Sequence, residues 1–267
     1  MPALGKYVAI VIAGFKQELV YKMDYFISLI FRILASLISI FVWTAVFTSS
    51  GVSSIGGLTL SEMYIYFFIV NAIGIITFND SMAGRLQDDI QSGNITTALT
   101  KPVRYPTQLF YNAIAVNLVA LLSVSLPFLV IITFLAHLTI TLTTLLLFIT
   151  EIVVAYLITT LVCFMVGTTA VYLVNIWGIL SVTDGLYFLL GGGIVPLSLF
   201  PSWASQILLL LPTQLSAYTP TATLLGIIST QQAINEIIIG LVWIVVFFAA
   251  AALFWRKVNM NITSAGG

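Results

Sequence analysis

The nine lysines and arginines of this 267-residue chain are confined to three places, and that confinement limits the fold more than any motif does. Lys6, Lys16, Lys22 and Arg32 stand at the start, Arg85, Lys101 and Arg104 in one central stretch, and Arg256 and Lys257 at the end. Segments 48–63, 136–143 and 197–236, each bounded by apolar runs, carry no basic residue. Positive charge beside an apolar run resists translocation. The basic segments are therefore expected on the cytoplasmic face and the three bare ones on the other.

A soluble domain carries roughly 25% charged residues; this chain has 7%, with 60% hydrophobic residues and a mean hydropathy of +1.14. The expectation is a single-domain (1–267), all-α, multi-pass protein of the plasma membrane. At about 20 residues per crossing of a ~30 Å hydrocarbon layer, six spans fall near 26–47, 63–80, 107–135, 143–173, 177–197 and 237–255. Backbone groups in lipid must be satisfied within the segment, and the runs are too long and too continuously apolar for barrel strands. An even number of crossings puts both termini in the cytoplasm. Pro127 should kink the third span or free a backbone carbonyl.

Three segments outside the spans carry information. Over residues 1–25, Lys6, Ala9, Ala13, Lys16 and Gln17 recur on one side of a helical projection while Leu4, Tyr7, Val8, Val11, Ile12, Phe15 and Leu19 cover the rest, which suits an interfacial helix. No A-x-A site follows, and this weighs against a signal peptide. Over 81–106, Arg85, Gln87, Asp88 and Gln91 are polar while Leu86 and Ile90 sit four apart, describing a short amphipathic helix that Ser92-Gly93-Asn94 should break. A second short stretch ends at Lys101-Pro102. A tight return needs only a few residues, so this length suits a docking surface, formed by Arg85, Leu86, Asp88, Asp89, Ile90, Gly93 and Lys101. Over 198–236, Pro201, Pro212 and Pro220 divide an apolar stretch into pieces too short to cross. Two readings differ only in depth: a re-entrant helical hairpin packed on protein, or an external loop over the helix ends. In the hairpin reading Pro201, Trp203, Leu208, Leu209 and Pro212 gate the outer end, with Trp203 and Tyr218 suited to the interface.

Chemistry is sparse. Nine acids balance nine bases, which offers nothing to nucleic acid. Cys163 has no partner for a disulfide, and one histidine, His137, cannot make an H-E-x-x-H site. No lysine lies in a G-x-x-x-x-G-K-[ST] context, so an energy source must be another chain. No catalytic, cofactor or metal residue is expected. Glu151 lies about two turns inside the fourth span; it either lines a route or subunit interface, or is neutralised or bonded to a hydroxyl. Asp184 is expected to cap the fifth span. Gly167, Gly191-Gly192-Gly193 and Ala249 to Ala252 should let helices approach, with Gly192 and Gly193 marking a hinge or a break near the pathway.

In their order, these motifs resemble the six-helix membrane subunits of ABC-2 type ATP-binding cassette transporters. The resemblance rests on Asp89-Ile90-Gln91-Ser92-Gly93-Asn94-Ile95 with Leu99-Thr100-Lys101-Pro102-Val103, and on Gly192-Gly193-Ile194-Val195-Pro196-Leu197-Ser198, Pro201-Ser202-Trp203, Leu211-Pro212 and Tyr218-Thr219-Pro220. It implies an exporter built from two permease subunits, identical or related, with separate cytoplasmic ATPase subunits that bind ATP and Mg2+ and dock on the 81–106 segment. The substrate would be hydrophobic or amphipathic. The competing class is an ion-coupled secondary transporter, for which internal repeats and several intramembrane charges are expected; no repeat is visible between the halves.

Overall fold

The computed structural model describes residues 2–77 and 80–265 and is helical almost throughout. Helix α1 (Pro2–Glu18) passes through a 3-10 turn into α2 (Lys22–Ser50). Strands β1 (Ser54–Ile55) and β2 (Leu58–Thr59) lead to α3 (Leu60–Thr77), α4 (Ser81–Gln91) and α5 (Asn94–Leu99). Helices α6 (Tyr105–Ala120) and α7 (Leu126–Leu135) form one interrupted rod, followed by α8 (Leu142–Thr168) and the short α9 (Trp177–Leu190). Then come α10 (Ser202–Leu210), a 3-10 turn (Pro212–Ser216), α11 (Tyr218–Leu224) and α12 (Thr230–Ala265).

Among the described residues, five helical stretches are long and apolar enough to cross a membrane: Met23–Ser50, Leu60–Gln91, Tyr105–Leu135, Leu142–Val171 and Thr230–Met260. They cover five of the six expected spans; residues 78 and 79, at the end of the expected second span, lie outside the described residues. The expected fifth span, 177–197, differs. It is helical for only 14 residues, about 21 Å at 1.5 Å per residue, short of the ~30 Å hydrocarbon layer. A helix and a tight turn together join the two ends of the bundle here.

The glycines dictate that break. A Cβ at Gly191 would lie 2.5 Å from the Thr213 carbonyl oxygen and 2.6 Å from Ser216 Oγ, and Gly192 has φ +90° with Tyr218 Cβ 2.8 Å from where its own Cβ would stand. The chain turns against its neighbours too closely for any side chain. Tyr66 Oη donates to the Gly192 carbonyl at 2.7 Å and the Tyr218 amide donates to the Gly191 carbonyl at 2.8 Å, so the turn is clamped between α3 and α11.

The Pro127 interruption is a π-type turn over Leu121–Ser125. Proline cannot donate to the carbonyl four residues back, Ser123, and one wider turn accommodates the loss. The β-hairpin is unexpected but legible: Gly56 and Gly57 have φ +61° and +82°, the pair of positive values that a two-residue primed turn requires. It pairs Ser54 with Thr59 and Ile55 with Leu58.

Packing centres on α8, which α12, α4 and α11 all touch. A Cβ on Gly167 of α8 would come within 3.0 Å of Ala83 Cα, and one on Gly240 of α12 would sit 2.5 Å from Leu215 Cδ1 and Val154 Cγ1. Small residues at these points let backbones meet. Of Ala249 to Ala252, only Ala251 is buried, so that run is not a continuous packing seam. Helix α1 does more than lie at an interface. Gly14 packs on Ala115 and Asn112, and Tyr7 stacks on Tyr111 with centroids 4.7 Å apart, fastening α1 to α6 while Val8 and Ile12 stay exposed. Two apolar cores lie at opposite ends, one around Leu86, Tyr105, Phe164 and Ala251, the other around Trp43, Tyr66, Leu197, Leu208 and Tyr218.

The clamp yields a stability test. Gly192→Ala should cost at least ~1–3 kcal/mol for the left-handed backbone alone, and Tyr66→Phe ~1–3 kcal/mol for the carbonyl left unbonded. Gly185→Ala in α9, where a Cβ meets nothing within 4 Å, should instead stabilise by up to ~1 kcal/mol. Thermal unfolding of the purified protein, followed by fluorescence, should show the first two midpoints falling and the third holding or rising.

Candidate functional site

At one end of the bundle, α4 divides its residues between the chain and the exterior. Met82, Ala83 and Leu86 are buried, Ile90 is half-buried, and Arg85, Asp88 and Gln91 are exposed. The segment is tied from several sides. Arg85 Nη1 donates to Asn112 Oδ1 at 2.6 Å and Tyr105 Oη donates to Asp89 Oδ2 at 2.6 Å, both on α6. The Ile176 amide donates to Gln87 Oε1 at 2.9 Å, and Gln91 Nε2 donates to the Val174 carbonyl, both in the α8–α9 connection. Gln108 Nε2 reaches the Val103 carbonyl at 2.6 Å and holds the α5–α6 turn. Gly93 (φ +75°) breaks the pair of helices, and Lys101 is exposed beyond α5.

The expectation for Leu86 needs correcting. Its side chain is wholly enclosed, and a Cβ on Gly167 would approach its Cδ2 to 3.1 Å. It serves the chain's own core and cannot belong to a partner surface. Leu86 and Ile90, four apart, mark an apolar strip, but spacing alone does not say what covers it. Asp89, half-buried on Tyr105, is likewise used within the chain, so the outward set is Arg85, Asp88, Gln91, Ser92, Gly93 and Lys101.

At the other end, residues 212–224 are buried without exception. Leu215 packs with Val154 and Ile158 of α8, a level ~18–24 Å along that helix from Leu142. That exceeds the ~15 Å of one leaflet. The segment therefore lies within the bundle, packed on α8, and not over the helix ends. Its backbone is satisfied by protein. Thr77 Oγ1 donates to the Ser216 carbonyl at 2.9 Å, and Trp243 Nε1 to the Leu210 carbonyl at 2.8 Å. Of the expected gate residues, Leu208 and Pro212 are buried, Leu209 is half-buried, and Pro201 and Trp203 are exposed. Tyr218, expected at the interface, is buried on Gly191.

Between hairpin, α8 and α12 lies a polar seam. Glu151 is fully enclosed; Oε1 accepts from Thr223 Oγ1 at 2.7 Å, and Oε2 has no partner. Gln214, equally enclosed, donates through Nε2 to Glu236 Oε2 at 2.8 Å while its own Oε1 is unpartnered. Thr213, Thr219 and Thr221 each bury an unpartnered hydroxyl here. Each such group costs roughly 1–3 kcal/mol, so their concentration on one short segment marks it as built for something besides stability. Of the two alternatives for Glu151, the bond to a hydroxyl is observed. The partners are 72 residues apart, and no local pattern signals them. Glu236 and Gln214 escape sequence reading for the same reason.

Asp184 does not cap α9. It is the eighth residue of that helix, and Asn175 Oδ1 does the capping by accepting from the Trp177 amide at 2.7 Å. Asp184 instead lines a pocket of about 20 Å3 with Asp80, Thr159 and Cys163. Gly192 and Gly193 are likewise packing positions, Gly193 lying against the Phe188 ring.

The family described as ABC-2 family transporter protein matches residues 19–266, beginning immediately after α1. No curated protein matches the chain. That range takes in the α4–α5 pair, the glycine break and the buried hairpin. A helical chain with membrane-length apolar spans, matched over nearly its whole length, belongs to the ABC-2 family of transporter proteins.

Proposed function

We propose that this chain is the permease subunit of an ATP-driven exporter of the plasma membrane, working beside a second permease subunit, identical or related, with separate cytoplasmic ATPase subunits that bind ATP and Mg2+. Both termini and the 81–106 segment face the cytoplasm, and the re-entrant hairpin faces outward. The observation that carries the reading is α4. It presents Asp88 outward, followed by Ser92, while Arg85 and Asp89 bond it to α6 and Gln87 bonds it to the α8–α9 connection. A force applied to the exposed side is thereby delivered to three helices.

Alternating access then follows from the contrast between the ends. The hairpin plugs its end with Leu208, Pro212, Leu215 and Tyr218 and must shift for that end to open, which would bring the seam hydroxyls of Thr213, Thr219 and Thr221 to the route. A lining of apolar residues with scattered hydroxyls suits an amphipathic cargo. Glu151 and Glu236 support the second reading, an ion-coupled transporter, because carboxylates without basic partners at this depth are costly unless they do work.

Orientation is tested by single cysteines in a Cys163→Ser background. Ser53→Cys and Ser229→Cys should react with an impermeant thiol reagent added to intact cells and Ser92→Cys should not; the reverse pattern inverts the topology. For coupling, Asp88→Lys should lower co-purification of the ATPase and substrate-stimulated ATP hydrolysis while the permease still folds. Leu86→Asp should instead lower the folded yield, since it buries a charge. The rival mechanism is separated by Glu151→Gln, which keeps an acceptor for Thr223 but cannot exchange a proton. ATP-driven export should persist within about twofold, a shift of only ~0.4 kcal/mol; abolished transport with unchanged ATP hydrolysis would favour ion coupling.

A further inference from the structure

A groove of about 950 Å3 opens on the side of the bundle near α4, between α6, α8 and α12. Its walls are apolar: Phe110, Leu157, Leu161, Phe248 and Trp255 line it, with Ala252 among the few small side chains that leave room. Its lip is basic. Lys101 and Arg104 stand there, both exposed, and no acid lies among the lining residues. Asp89 on α4 is engaged by Tyr105 Oη. Neither cation forms an ion pair among the described residues.

Lipid covers the convex apolar faces of any membrane protein, but a concave groove with an unpaired cationic lip is different. Along α12 the groove runs from Ile244 to Asn259, about 22 Å at 1.5 Å per residue, enough to contain the ~15 Å acyl depth of one leaflet with a headgroup above it. Trp255 stacks on Tyr105 with centroids 5.7 Å apart and sits below the lip, where an indole marks the boundary between acyl and headgroup regions. Two cations on a planar and a point-charge head are a phosphate-recognition pair.

We propose that this groove binds one anionic phospholipid from the adjoining leaflet, with its phosphate between Lys101 and Arg104 and an acyl chain laid against α6 and α12. The cytoplasmic identity of that leaflet rests on the orientation given above. The bound lipid closes the gap between α6 and α12 and joins the α5–α6 turn, the segment that follows the docking helices, to the last crossing.

Native mass spectrometry of the purified permease alone, titrated with phosphatidylglycerol or phosphatidylcholine of identical chains, tests the site. Wild-type protein should retain phosphatidylglycerol at least tenfold better, as expected for about two basic contacts. The exposed-site double variant Lys101→Gln/Arg104→Gln should bring the two lipids close to parity while remaining monodisperse, and Ala252→Trp should reduce retention of both by filling the groove. Glycerol 3-phosphate at millimolar concentration should not compete, because it lacks the chains. Parity between lipids on wild-type protein, or undiminished preference in the double variant, overturns the proposal. So would competition by glycerol 3-phosphate, which would reduce the site to a phosphate lip, or disulfide formation between two Ala252→Cys copies, which would make the groove a subunit interface. The assay contains no ATPase, so its failure leaves the coupling reading intact; that reading fails separately, if Asp88→Lys leaves co-purification of the ATPase unchanged.

Discussion

Backbone satisfaction of the buried hairpin at 202–224 is the constraint on which the remaining architecture depends. Residues 212–224 run through the bundle buried without exception, so their amides and carbonyls must find partners within the protein. They are tolerated because protein surrounds them: Tyr66, Thr77 and Trp243 send side-chain donors to the carbonyls of Gly192, Ser216 and Leu210, and the Tyr218 amide reaches Gly191. These side-chain donors come from α3, twice, and from α12. Helices α3, α8, α9 and α12 are consequently arranged around the hairpin, and the glycines at 191, 192 and 240 exist where its neighbours come too close for side chains.

The two ends of the bundle are held by different physics. Around the hairpin, large apolar side chains such as Trp43, Met63, Leu197 and Leu208 supply the cohesion, with polar groups left unpaired at the seam. Around α4, an apolar core is joined by directional bonds that link the segment to α6 and the α8–α9 connection. Apolar packing yields between discrete arrangements without a directional penalty, whereas charged and amide bonds transmit a displacement in a fixed direction. The proposed function rests on this contrast, with the hairpin end as the gate and α4 as the handle.

Departures from regular helix follow the same economy. The π-type turn before Pro127 keeps α6 and α7 on one path, and the Gly56–Gly57 turn closes a small hairpin against Leu199. The short α9 is the sharpest departure. A full-length helix there would drive through the space that Thr213, Ser216 and Tyr218 occupy, so the helix stops at a glycine turn.

Membrane class, the places of five long spans, the paired short helices at 81–99 and the proline-divided segment were legible in the sequence because each depends on local quantities: run length, periodicity and residues with restricted backbones. The charge distribution sets an expectation of orientation on equally local grounds. What only the tertiary structure decided was the destination of each side chain. Leu86 was visible as apolar but not as core, Asp184 as acidic but not as mid-helical, and Tyr218 as aromatic but not as buried. The depth of the hairpin, the bond from Thr223 to Glu151 across 72 positions and the groove shared by α6, α8 and α12 have no local signature at all. Local sequence fixes the backbone conformation of a segment, because that is a matter of sterics and hydrogen bonds within a few residues. Partner and depth are properties of contacts between distant segments, and those come into being only when the helices pack.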